Sequence, residues 1–97
     1  MYEARKLCNF LLAKYDAQRF DLTNLRINKL LYFMHIEALR TKPEGLVRNH
    51  FEAWQFGPVV RPVFDAFKIY GEQPISSPAK SLDYSTGIQK PIPHDDI

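Results

Sequence analysis

The stretch Leu25–Leu39, LRINKLLYFMHIEAL, constrains the fold more than any other part of the chain. It holds neither Pro nor Gly and is rich in Leu, Met, Lys, Glu and Arg, so a helix is expected over about residues 23–40. Asp21 or Thr23 supplies the N-cap, with Leu22 in the staple position ahead of Thr23. An amphipathic surface helix confines its apolar side chains to one stripe, whereas Leu30, Leu31, Tyr32, Phe33, Met34 and Ile36 point in nearly every direction. That pattern predicts a central helix wrapped by other elements. The run is too short, and too interrupted by Arg26, Lys29, His35 and Glu37, to span a membrane.

Ninety-seven residues make one small domain at most, and a hydrophobic content of 45% argues against disorder. A formal charge of +2 is too small to imply a nucleic-acid or membrane partner, although the body is mildly basic and the tail mildly acidic. Cys8 stands alone, so no internal disulfide forms and a reducing compartment is expected. The N-terminal MYEARKLCNFLLAKY lacks the uninterrupted apolar run of a signal peptide, which makes a cytoplasmic protein the expectation.

Ahead of the organising stretch, Ala4, Leu7, Cys8, Leu11, Leu12 and Tyr15 repeat at helical spacing and predict a first helix over about residues 3–16. Arg5, Lys6, Asn9 and Lys14 lie off that stripe. Residues 16–22 read as a short polar connector with Phe20 tucked in. Beyond the central helix, Pro43 and Gly45 enforce a break. The alternation from Phe51 to Phe56 permits a short extended piece or minor β-hairpin, and Gly57-Pro58 reads as a turn. Pro62 opens a third helix over about residues 62–70, with Val63, Ala66, Phe67 and Tyr70 as its stripe and Gly71 as its C-terminal cap. Pro74, Pro78, Pro91 and Pro93, together with four serines, give a tail without helical periodicity. It is expected to be an extended arm over residues 76–97 with a short strand near Ser81–Ser85. The fold class expected is therefore mainly α, a small all-α bundle around a central apolar helix.

None of the reactive residue types stands in a catalytic or metal-binding pattern. Cys8 sits on the apolar stripe of the first helix, as a packed thiol would. His35 and Glu37 are two apart and do not face each other on a helix, so His35 reads as a hydrogen-bonded histidine at the core edge. His35, His50 and His94 lack metal-ligand spacing. Tyr32, Trp54, Phe56 and Tyr70 are expected to form an aromatic core around the Gly-Pro turn rather than a stacking platform for bases. Arg19, Arg26, Arg40, Lys42, Arg48 and Arg61 are dispersed, which disfavours a nucleic-acid interface. No enzymatic activity, cofactor or metal is expected. Three short helices do not fully sheathe a helix apolar on all sides, so Tyr32, Phe33, Ile36, Phe56 and Phe64, with Arg61 at the rim, are the candidate binding residues.

Two blocks, Leu25-Arg-Ile-Asn-Lys-Leu-Leu-Tyr-Phe and Phe51-Glu-Ala-Trp-Gln-Phe-Gly-Pro-Val-Val-Arg-Pro-Val-Phe, followed by Phe67-Lys-Ile-Tyr-Gly, resemble the Panacea domain family. That family includes SocA-like antitoxins and phage-associated GepA-like proteins. The resemblance covers about residues 3–75 and implies a mainly helical domain, over about residues 1–75, of bacterial or phage origin. It implies a non-catalytic protein that binds and neutralises a cognate toxin in a toxin–antitoxin module. Some family members are instead adaptors presenting the toxin to a protease, and a homo-oligomer is a further form to expect. The motif residues Leu30, Leu31, Tyr32, Phe33, Trp54, Gly57, Pro58, Val59, Tyr70 and Gly71 are carried over as scaffold. Family domains add further C-terminal helices, so the arm is expected to lead into another C-terminal part.

Overall fold

A computed structural model describes residues Met1–Ile97. The apolar stripe of the N-terminal segment winds into α1 (Ala4–Lys14), begun by Glu3, whose carboxylate accepts from the N–H groups of Arg5 and Lys6. The connector is more ordered than its composition suggests. Asp16 caps a single turn, α2 (Ala17–Phe20), which Asp21 closes in the left-handed conformation at φ 52°. Phe20 is 50% exposed rather than tucked in, its ring set edge-on against Tyr15 at the surface. Thr23, not Asp21, is the N-cap of α3 (Asn24–Leu39), and its hydroxyl accepts from the Arg26 N–H at 3.3 Å. Pro62 stands in the first turn of α4 (Arg61–Phe67), which tightens into a 3-10 turn over Lys68–Tyr70 and ends at Gly71.

The core lies where α1, α3 and α4 meet, around Leu7, Leu11, Ile27, Leu31, Val63 and Phe67. The expected wrapping of α3 does not occur. Only Asn24, Ile27, Asn28 and Leu31 are buried, a single face at i, i+3, i+4 and i+7. With 11 residues in α1 and 7 in α4, the flanking helices cover one side of a 16-residue helix and leave the rest open.

The mainly α expectation is overturned as well: helix makes up 42% and strand 16%, and the fold is α+β. β1 (Glu52–Trp54) and β2 (Gly57–Val59) pair antiparallel across the two residues Gln55 and Phe56, so Gly57-Pro58 is strand and not turn. β2 then packs on α3. A second hairpin, β3 (Lys80–Asp83) with β4 (Ile88–Pro91), occupies most of the segment expected to be an extended arm. Its turn is made locally. The Asp83 carboxylate accepts from the N–H and Oγ of Ser85, the Asp83 carbonyl accepts from the N–H groups of Thr86 and Gly87, and Gly87 takes φ +72°.

Single side chains tie these pieces together. Asn9, expected off the buried stripe, is 2% exposed, and its amide clamps the base of the second hairpin. Its Nδ2 donates to the carbonyls of Ala79 (2.9 Å) and Ile92 (3.0 Å), and its Oδ1 accepts from the Ala79 N–H (2.7 Å). His35 Nδ1 accepts from the N–H groups of Leu46 (3.1 Å) and Val47 (2.9 Å), holding the loop after α3. Gly45, at φ +71°, passes so close that a Cβ there would overlap the His35 ring. The same loop receives the N-terminus through a parallel bridge between Tyr2 and Val47.

Candidate functional site

The part of α3 left uncovered carries Leu25, Lys29, Tyr32, Phe33 and Ile36, spaced i, i+4, i+7, i+8 and i+11 along one outward stripe. Phe33 is 61% and Ile36 43% exposed. Tyr32 sits lower, its ring edge-on to Phe51 at 5.3 Å and to Phe33 at 5.9 Å. The first hairpin continues this face. Tyr32, Phe51, Trp54 and Pro58 line a shallow depression, and Trp54 meets Phe64 of α4 at 4.7 Å between ring centres.

Trp54 is also the centre of a polar lock. Its indole N–H donates to Glu52 Oε1 at 3.0 Å, Arg61 places its guanidinium 4.8 Å from the indole ring, and Arg61 reaches Glu52 at 3.6 Å. The indole hydrogen bond first, then the charge of Arg61, holds the Glu52 carboxyl below its ordinary range. On the far side of Trp54, Phe56, Phe64 and Leu25 line a second depression, with Phe56 at the hairpin tip 68% exposed.

All six candidate binding residues therefore have a definite place. Phe33, Ile36, Phe56 and Arg61 are exposed, Tyr32 and Phe64 are half-buried, and Trp54 links the α3 group to the α4 group. Of the residues carried over as scaffold, Leu31 and Val59 are fully buried; Leu30, Tyr32, Trp54, Gly57, Pro58 and Tyr70 are half-buried; Phe33 and Gly71 are exposed. The expected aromatic core around Gly57-Pro58 does not form: Tyr32 and Trp54 are half-buried in a surface layer, Phe56 is exposed, and Tyr70 packs away from them on Phe67 at the edge of the main core. A two-residue loop between β1 and β2 carries Phe56 out to the tip and leaves one side of Trp54 at the surface. Leu25, Lys29 and Glu52 belong to this face although nothing singled them out in the sequence. The i+4 step from Leu25 to Lys29, and the i+2 step from Glu52 to Trp54 on one side of a strand, were the available signals.

Chemically, the face is suited to holding another surface. Cys8 is fully buried, and burial pushes its thiol well above the usual thiol range. The Nδ1 of His35 is engaged by two backbone N–H groups. Phe, Tyr, Trp and Arg around a half-buried centre are the residue types that anchor protein–protein contacts. The molecule exposes 6453 Å², roughly 700 Å² more than the ~5,700 Å² of a compact monomer of its mass. No helix is long and apolar enough to cross a membrane.

Comparison with known proteins places this geometry in context. The family described as antitoxin SocA-like, Panacea domain, matches residues 27–90, a span that takes in most of α3, the first hairpin, α4 and all but the last residue of the second hairpin. Antitoxin SocA of Caulobacter vibrioides (strain NA1000 / CB15N) is 40% identical over 86 residues, covering 89% of this chain and 46% of the relative. The chain thus spans just under half the length of that curated relative. No solved structure gives a significant match.

Proposed function

This chain belongs to the antitoxin SocA-like, Panacea-domain family, and from that premise we propose that it is an antitoxin which binds a cognate toxin protein. Binding is by occlusion, without catalysis, through the aromatic face that runs from Ile36 and Phe33 across Tyr32 and Trp54 to Phe64, Arg61 and Phe56. The observation that carries this reading is the position of Trp54. It joins exposed apolar side chains on α3, the first hairpin and α4 into one surface, with Arg61 and Glu52 preset at its centre. Exposed phenylalanines on a small domain cost solubility, and a partner that covers them recovers the burial.

The test is co-expression with the protein encoded by the adjacent open reading frame, scored by growth and by the molar mass of the purified material. The wild-type chain is expected to rescue growth and to co-purify at fixed stoichiometry. The Phe33→Asp/Ile36→Asp variant, whose changes lie on exposed positions and should leave the helical circular dichroism intact, is expected to lose both. Rescue and complex formation undiminished in that variant would move the contact elsewhere. Absence of rescue by the wild type would remove the antitoxin reading for that pair.

A further inference from the structure

On the opposite flank of α3 lies a second apolar trough, separate from the aromatic face. Its walls are Phe10 and Lys14 of α1 and Leu30 and Met34 of α3, each pair spaced i, i+4, and Phe20 and Leu22 close one end. Its volume is about 520 Å³, and Tyr15 braces Phe20 edge-on at 5.7 Å. Parallel i, i+4 rows on two neighbouring helices leave a groove into which the corresponding ridge of a third helix fits.

The lining of the trough itself carries positive charge alone, while Asp95 lies on the outer side of Phe10 and Lys14 in an adjoining depression. Lys14 is the only charged residue in its lining, which holds no carboxylate. The Lys14 ammonium lies 5.7 Å from the Phe10 ring centre and 6.0 Å from that of Tyr15, and the Arg19 guanidinium lies 5.6 Å from that of Phe20. Neither cation forms an ion pair, whereas nearby Arg26 is matched by Asp21 at 3.4 Å. We infer that this trough is a docking groove for an amphipathic helix of a partner protein whose apolar row is flanked by carboxylates, seating apolar side chains between Phe10 and Met34 and its acids on Lys14 and Arg19. A second copy docking trough to trough would bring the same two cations together, which disfavours self-pairing. The inference stands whether or not the partner is a toxin.

Two fluorescein-labelled helical peptides with one identical Leu row, flanked by Glu in the first and by Lys in the second, test it by anisotropy titration against the full chain. The Glu peptide is expected to bind at least about tenfold more tightly, with the preference reversed in the Lys14→Glu/Arg19→Glu variant. Met34→Glu should abolish binding, and Ile69→Glu, on the distant 3-10 turn, should not. Equal binding of the two peptides, or a preference that survives the charge reversal in a variant with native circular dichroism, would overturn the inference. So would a concentration-dependent dimer in sedimentation that Met34→Glu converts to monomer, since the occupant would then be a second copy.

Discussion

Asn28 lies wholly buried in the second turn of α3, where its Nδ2 donates to the carbonyl (2.9 Å) and Oδ1 (3.0 Å) of Asn24 and its Oδ1 accepts from the Val60 N–H (2.9 Å). Asn24 in turn donates to the Phe64 carbonyl at 2.9 Å, so two amides fasten the start of α4 onto α3. Asn28→Ala strands a buried N–H and opens a small void, and should cost about 2–3 kcal/mol in a urea melt followed through Trp54. Trp54 is the only tryptophan, so its fluorescence also reports on its own surroundings. The Glu52 carboxyl, lowered by the indole N–H and then by Arg61, stabilises the hairpin while it is ionised in the folded and unfolded chain alike. That contribution is lost as pH falls through the lowered folded-state pKa. A change in Trp54 emission during acid titration is therefore expected before global unfolding, and Glu52→Gln should abolish it. Neither role was legible from residue type alone. Each side chain has one polar partner on its own element, Asn24 for Asn28 and Trp54 for Glu52, and one beyond it, Val60 and Arg61, and apolar periodicity registers neither kind.

At the level of elements, helices declare themselves through spacing and caps: α1 and α3 fall within two residues of where periodicity puts them, whereas α4 stops at Phe67 and a 3-10 turn completes the expected span to Tyr70. The hairpins are harder to read because short strands rest on few residues. Gly57-Pro58 carries strong turn chemistry yet forms a strand, since pairing Trp54 with Gly57 lets β2 pack on α3. In the tail, Asp83, Ser85 and Gly87 carry the chemistry of a hairpin turn, while Pro74, Pro78, Pro91 and Pro93 around them are the composition of an extended arm. A two-stranded hairpin is marginal alone. This one is anchored by the Asn9 amide and by the Lys6–Asp96 pair at 2.6 Å. Asn9→Ala should accordingly raise amide hydrogen exchange across Lys80–Pro91 while α1 and α3 keep their protection. Loss of protection throughout the chain would instead make the hairpin part of the cooperative core.

For the molecule as a whole, a core with 19 of 97 residues buried is modest, and apolar surface remains on both flanks of α3. Cys8 gives access to global stability because it is fully buried and burial holds its thiol protonated. Alkylation by iodoacetamide at neutral pH should be negligible in the native state and should rise with urea in step with the Trp54 transition. Labelling that runs ahead of that transition would reveal opening around α1 before the rest of the fold.

Local chemistry dictated the helices, their caps, the lone core thiol and the family resemblance, because each depends on residues within a few positions of one another. Pairing across the chain settled the remainder. Whether Gly57-Pro58 turned or paired, whether Asn9 faced water or the second hairpin, and which side of α3 stayed open all depended on long-range contacts. An all-round apolar helix needs covering, but α1 and α4 are too short to do it, and their packing on one face leaves two surfaces free.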